Sequence, residues 1–274
     1  VTAAPLVRPS FTELTAIRPA GEGRWRADLD PRWTIGGRPN GGYLLAVAGR
    51  AAVAASDRAH TLAASAQYLR PPEPGPVELR TEVLRHGRTA THVRVQLSQD
   101  GTACVESLLV TGRLEAPGTP AAWTAPDAPV PPPASPDGIR VPPVTPDGVP
   151  VPIMDQVAVD LDAGTAGFAT GTPSGRGEIA GRLTLPGAEP FDDCALLYAV
   201  DALPPASLTV AATGWVPTVS MTVYVRALPA PGPVHVRCSS SLIDGGRVDE
   251  ACWIHDSSGR LVAHGSQLAG IRYP

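Results

Sequence analysis

Tyr68-Leu-Arg-Pro-Pro-Glu-Pro-Gly-Pro-Val-Glu-Leu-Arg80 returns later in the chain as Tyr224-Val-Arg-Ala-Leu-Pro-Ala-Pro-Gly-Pro-Val-His-Val-Arg237. Arg70 falls on Arg226, 156 positions on; Pro74-Gly-Pro-Val77 falls on Pro231-Gly-Pro-Val234, 157 positions on; Gly87-Arg88 falls on Gly246-Arg247, 159 positions on. Small indels explain the drift, and three anchors in one order argue against chance similarity of Pro-Gly-rich sequence. Self-similarity of this kind marks a duplicated unit, and 274 residues accommodate two units of roughly 130.

Outward from the repeat, each half reads as one apolar helix followed by strands. Pro39-Asn40-Gly41-Gly42 punctuates the start of Tyr43 to Ala55, which is apolar almost all round except at Arg50; such a helix is buried. The second half offers Phe191 to Leu203, with Asp192 or Asp193 as its cap and Pro204-Pro205 as its stop. Alternating apolar and polar residues predict strands at Thr61–Leu69, Val77–Arg85, Thr91–Ser98 and Ala103–Thr111, and again at Val219–Val225, Val234–Leu242, Val248–His255 and Leu261–Ile271. One buried helix per half with antiparallel strands around it is an α+β arrangement, a helix wrapped in a sheet, twice over.

Between the halves lies a Pro-rich tract with Pro131-Pro132-Pro133, Pro142-Pro143 and two Pro-Asp-Gly turns, at Pro136-Asp137-Gly138 and Pro146-Asp147-Gly148. Proline cannot donate to a central ladder and breaks helix interiors, so the tract is a connector. The expected division is 1–114, a connector at 115–152, and 153–274. Trp123 and Ile139 are expected to pin the connector to the body as a crossing strap.

Net charge is −4 and every one of the 22 basic residues is Arg, a balance that advertises neither nucleic acid nor an anionic membrane as partner. Codon bias accounts for the missing Lys; Arg also grips phosphate in bidentate fashion. Cys104, Cys194, Cys238 and Cys252 are far apart, with no C-x-x-C spacing, and read as reduced core residues. The six histidines form no ligand spacing, so no metal and no cofactor is expected. No apolar leader and no 18-residue apolar run are seen, and a cytoplasmic location is expected.

The Gly37-Arg-Pro-Asn-Gly-Gly-Tyr43 helix start, the Gln67-Tyr-Leu-Arg-Pro-Pro72 strand end and the Asp201-Ala-Leu-Pro-Pro205 helix end resemble the acyl-CoA thioesterase II (TesB-like) family, in its actinobacterial form. The resemblance implies a double hotdog, two helix-in-sheet units sharing one continuous sheet. It implies an acyl thioester substrate, often acyl-CoA, hydrolysed by water without a covalent serine. It implies an Asp on the second helix, a Thr at the start of the next strand and a Gln on the last strand, which together position the water. Here those places hold Asp201, Thr218 and Gln267, with Thr222 as the alternative for the Thr. Hotdog proteins pair further, so a homo-oligomer is expected.

The chemistry suits these residue types. Asp201 is the one acid among Tyr198-Ala-Val-Asp-Ala-Leu203, and burial raises a carboxylate toward the pKa a general base needs; the plain alternative is a local salt bridge, for instance to Arg226 or Arg237. Aligning Leu44-Leu45 with Leu196-Leu197 puts Gly49 opposite Asp201, so one site per chain is expected. Asn40, Gly41 and Gly42, at a helix N-terminus, could hold an oxyanion on backbone N–H groups, or form an ordinary helix-start turn with positive φ. Arg70, Arg226 and Arg38 are candidates for CoA phosphates. His264, three residues before Gln267, could flank the site. A hotdog dehydratase would want an Asp and a His at a helix start, and neither helix start carries a His. A non-catalytic acyl-binding or scaffold protein, or an enzyme acting on a carrier-protein thioester, are the remaining readings.

Overall fold

The computed structural model describes residues 9–126, 128–131, 138–145, 148–214 and 216–272. The triple proline at 131–133 and both Pro-Asp-Gly turns fall partly or wholly outside them. The first half runs α1 (Phe11–Leu14), β1 (Arg18–Pro19), β2 (Arg24–Leu29), a small ladder of β3 (Thr34–Ile35) and β4 (Arg38–Pro39), α2 (Gly41–Ala55), then β5 (His60–Tyr68), β6 (Gly75–His86), β7 (Thr91–Gln99) and β8 (Thr102–Gly112). The second half runs β9 (Ile139–Arg140), β10 (Ala158–Leu161), β11 (Glu178–Thr184), α3 (Asp193–Ala199), β12 (Thr218–Val225), β13 (Val234–Ser239), β14 (Ile243–Asp244), β15 (Arg247–His255) and β16 (Leu261–Gly270).

One antiparallel sheet carries both halves, in the order β1-β2-β6-β7-β8-β5-β12-β16-β15-β13-β11-β10-β9, with β14 beside β15. Read outward from the β5–β12 junction, β5-β8-β7-β6-β2 repeats as β12-β16-β15-β13-β11. A pseudo-twofold therefore passes through the junction, where Ser65 faces Thr222 and their hydroxyls hydrogen-bond at 3.0 Å. Both junction strands bulge at the same place, between Thr61 and Ala63 and between Thr218 and Ser220. The strand before each helix, β2 and β11, is an addition to the sequence reading, although Trp25-Arg-Ala-Asp-Leu29 alternates in the ordinary way.

The symmetry corrects the register of the repeat. Leu69 and Arg70 N–H both donate to Cys104 O, whereas Arg226 and Ala227 N–H both donate to Val262 O. Arg226 is therefore the counterpart of Leu69, and the shared Tyr-x-Arg spelling is slipped by one residue. A slip of one reverses the face: Tyr68 turns inward to donate to Gly41 O at 2.8 Å, whereas Tyr224 turns outward and stacks on His264 at 5.1 Å.

Helices α2 and α3 lie under the sheet and against each other. In α2, residues Gly42 to Gly49 and Ala51 to Ala52 are buried, and in α3 every residue is. Gly49 makes the close approach possible: a Cβ there would sit 2.9 Å from Leu197 Cδ1 and 3.0 Å from Cys194 Sγ. Arg50, the one charge on α2, donates to Asp192 at 2.6 Å and to Thr15 at 3.1 Å. Helix α3 stops at Ala199, short of the expected Leu203. Asp201 N–H donates to Tyr198 O, three residues back, so the last turn tightens into 3₁₀ form and carries Asp201 just past the helix end. Strand β13 likewise ends at Ser239, and Leu242 is exposed.

The connector lies along the body, but Trp123 does not pin it: that ring is 78% exposed. Pinning comes from Pro129 O, which meets His255 Nε2 at 2.8 Å, from β9, which pairs with β10, and from Pro150 O, which accepts from Gly36 N–H in the first half. Among the described residues all four cysteines are free and buried, and no helix is long and apolar enough to cross a membrane.

Candidate active site

Asp201 sits where the end of α3 meets the start of α2. Its carboxylate accepts from Gly42 N–H at 2.8 Å and from Asn40 Nδ2 at 3.0 Å. Asn40 is doubly committed: its Oδ1 caps α2 by accepting from Tyr43 N–H at 2.9 Å, and its amide also donates to Asp201 O. Burial pushes the Asp201 carboxyl up to about 6, against the opposing pull of the Gly42 N–H, the Asn40 amide and the Gly41 N–H. An α-helix N-terminus favours negative charge, so the carboxylate is held as a usable base rather than neutralised.

The same geometry corrects the expectation that Gly41 and Gly42 cradle an oxyanion. Their amides already face the Asp201 carboxylate, and one N–H cannot hold both. Neither residue has positive φ. They are glycines because α3 comes so close: a Cβ on Gly42 would lie 2.7 Å from Tyr198 O and 2.9 Å from Asp201 Cβ, and one on Gly41 would lie 3.1 Å from Asp201 Oδ2.

Thr218 and Gln267 come together at the bulged start of β12. Thr218 Oγ1 donates to Gln267 Oε1 at 2.8 Å. The bulge turns Thr218 inward, whereas Thr222 faces outward onto Ser65, so Thr222 is excluded as the alternative. His264 is also excluded: it stands three positions from Gln267, an odd step that puts it on the other face of β16, where it lies against Tyr224. No direct hydrogen bond joins the Thr218–Gln267 pair to Asp201 among the described residues.

One residue of the site was missed in the sequence. Gln267 Nε2 donates to Glu250 Oε2 at 2.7 Å, and Glu250 Oε1 accepts from Ala206 N–H at 2.6 Å. Glu250 is only 8% exposed. Burial pushes its carboxyl up to about 7, opposed by those two donors and assisted by the negative charges of Asp201 and Asp249. The signal was there: Val248, Glu250, Cys252 and Ile254 alternate on the core face, and an acid in that row needs a reason.

The pseudo-twofold shows where the two halves differ. The counterparts of Glu250, Gln267 and Thr218 are Val93, Leu109 and Thr61. Two are apolar, and Thr61 Oγ1 is buried without a partner. Asn40 and Asp192 are corresponding N-caps, which puts Gly49 at the place of Asp201, as the sequence alignment has it.

The arginines separate. Arg38 and Arg70 share a cavity of about 290 Å³ with Glu73, Gln99 and Thr102, beside the start of α2. Arg38 pairs with Glu73, and Arg70 has no carboxylate partner among the described residues. Arg226 lies past the opposite end of the β5–β12 ladder, about 30 Å away along the strand direction, so it and Arg70 cannot grip one ligand head. Neither Arg226 nor Arg237 pairs with Asp201; Arg237 pairs with Glu178.

Comparison with known proteins agrees with this architecture. A solved structure from Thermobifida fusca, described as that of a candidate thioesterase II, is 33% identical with a TM-score of 0.86, covering 98% of this chain and 99% of its own. A hot dog fold protein from Alicyclobacillus acidocaldarius is 21% identical with a TM-score of 0.81, covering 96% and 98%, a likeness of fold. An uncharacterized protein of Mycobacterium tuberculosis is 30% identical over 95% of this chain and 98% of its own length. Residues 29–112 match the acyl-CoA thioesterase N-terminal domain and residues 126–271 the acyl-CoA thioesterase C-terminal domain. Two hotdog units in one sheet and two matched domains in the expected order make this chain a member of the acyl-CoA thioesterase family of double-hotdog, TesB-like proteins.

Proposed function

We propose that the protein hydrolyses acyl-CoA thioesters at one site per chain, with Asp201 as general base. The observation that supports this most is a carboxylate poised at about 6 at a helix start, beside a Thr–Gln pair that faces the same interior. A water donates one hydrogen to Asp201 and the other to Thr218 Oγ1, whose own proton is already given to Gln267. Its free lone pair then attacks the carbonyl carbon. As the C–O bond forms, Asp201 takes the proton and the carbonyl oxygen becomes an oxyanion. The second Nε2 hydrogen of Gln267, not used by Glu250, is the donor available for it. Collapse breaks the C–S bond, and the Asp201 proton passes to the departing sulfur, leaving a carboxylic acid and a thiol. Arg70, with Arg38 beside it, supplies positive charge for the nucleotide phosphates.

The dehydratase reading has less support: among the described residues no histidine hydrogen-bonds to Asp201. An enzyme for carrier-protein thioesters differs only in what lies beyond the pantetheine. The discriminating experiment is free-thiol release from acyl-CoAs of graded chain length, beside the matching acyl carrier-protein and N-acetylcysteamine thioesters. Turnover of acyl-CoA with the highest kcat/KM is expected. Turnover of the carrier-protein thioester alone would reassign the substrate, and no thiol release from any of them would overturn the reading.

A further inference from the structure

We propose that Glu250 is a positioning residue: ionised, it fixes the Gln267 amide with Nε2 toward itself and Oε1 on Thr218, and protonated, it releases that orientation. The inference rests on the thioesterase reading above for its catalytic consequence, but not for the contact itself. A carboxylate only accepts hydrogen bonds. Between Glu250 Oε2 and Thr218 Oγ1, at 2.7 and 2.8 Å, the amide therefore has one satisfactory orientation, with its NH2 toward the acid. That orientation commits the Thr218 proton to Gln267 and leaves the Thr218 oxygen as an acceptor for water. A protonated Glu250 can instead donate to Oε1. The amide then turns over, Nε2 donates to Thr218, and the Thr218 hydrogen swings onto the water and occupies the lone pair needed for attack.

Glu250 is placed for this role. Its other oxygen is held by Ala206 N–H, so the carboxyl group itself cannot rotate away. The charged and titratable groups that bear on it are Asp201 past the end of α3 and Asp249 on its own strand, with the Cys238 thiol on β13 nearby, opposite Cys252. Among the described residues no cation pairs with it. Its proton is thus gained near neutral pH, within the range where the enzyme would work. The counterpart residue in the first half is Val93, beside Leu109, so acid and amide are present or absent together.

Two measurements test this. The first is the pH dependence of kcat for acyl-CoA hydrolysis in wild type, Glu250→Gln and Glu250→Asp. The wild-type acid limb is expected to fall with two protons, one from Asp201 and one from Glu250. In Glu250→Gln it should fall with one, with kcat lower by about tenfold and KM little changed, the scale of one charged hydrogen bond. Glu250→Asp should restore the second proton. The second measurement needs no turnover: ¹⁵N-glutamine labelling gives five side-chain amides, and the Gln267 pair, assigned with Gln267→Met, should shift through neutral pH in wild type and stay still in Glu250→Gln. A wild-type Gln267 amide that does not move, or a Glu250→Gln limb identical to wild type, overturns the proposal. An amide that titrates in a protein releasing no thiol would sink the thioesterase reading while the Glu250–Gln267 switch stands.

Discussion

The Asp201 carboxyl titrates at about 6 in the folded chain against 3.8 for an ordinary aspartate. Below about pH 4 it is protonated folded and unfolded alike and contributes nothing to the balance. Between 4 and 6 the unfolded chain has lost the proton that the folded chain still holds, so stability falls as pH rises; above 6 the whole cost is present. The shift caps that cost at about 3 kcal/mol, and partial exposure brings it nearer 1–2. Asp201→Asn should therefore be more stable than wild type by about that amount at pH 8 and equal to it at pH 4, read from denaturant unfolding. Gly42→Ala should do the reverse. Its Cβ would press on Tyr198 O and Asp201 Cβ, both parts of a packed helix end, so a loss of about 1–3 kcal/mol is expected together with loss of activity; a melting curve unchanged from wild type would contradict that packing. Asp201 was legible in the sequence because it is an acid alone in an apolar run. Glu250 was legible only in parity along its strand, since the groups that give it meaning, Ala206 and Gln267, are 44 and 17 residues away.

Elements decide which way those side chains face. Helices α2 and α3 and eight of the long strands were readable as periodicity, whereas the short α1 was not. Their partners across the sheet were not, because register is set by bulges and turns rather than by composition. The clearest case is the Tyr-x-Arg repeat. Identity aligns Arg70 with Arg226, yet the bifurcated backbone bonds at Cys104 and Val262 align Leu69 with Arg226. The proposed roles follow the structural alignment: Arg70 borders the cavity beside α2, and Arg226 lies at the end where Gly49, Val93 and Leu109 stand in place of Asp201, Glu250 and Gln267. Arg70→Ala should raise KM for acyl-CoA by about tenfold, the scale of a charged hydrogen bond to phosphate, and leave N-acetylcysteamine thioesters unaffected. Arg226→Ala should alter neither. Equal effects of both substitutions on acyl-CoA would contradict this placement.

At the level of the whole molecule, the proposed site belongs to neither half. Asn40, Gly42 and Tyr68 come from the first, and Asp201, Thr218, Gln267 and Glu250 from the second. The β5–β12 ladder that joins them would become two open edges if the halves parted, and an unpaired edge strand is prone to aggregate. The chain opened near Trp123, in the exposed part of the connector, should give two pieces that are inactive apart and regain thiol release when co-expressed; a second piece active by itself would mean that α2 is dispensable. The tandem duplication was visible in sequence because both copies kept their turn residues. The asymmetry was visible only in part, through Gly49, because the contrast between the Glu250–Gln267 pair and the Val93–Leu109 pair is a pairing across strands. What matters most is whether the carboxylate shared between α2 and α3 performs the reaction. Thiol release from acyl-CoA at pH 8 by wild type and Asp201→Asn, with melting temperatures taken on the same samples, answers that: turnover lost by about 10²-fold or more in a variant at least as stable as wild type is the predicted result, and a folded Asp201→Asn that hydrolyses acyl-CoA at the wild-type rate would contradict it.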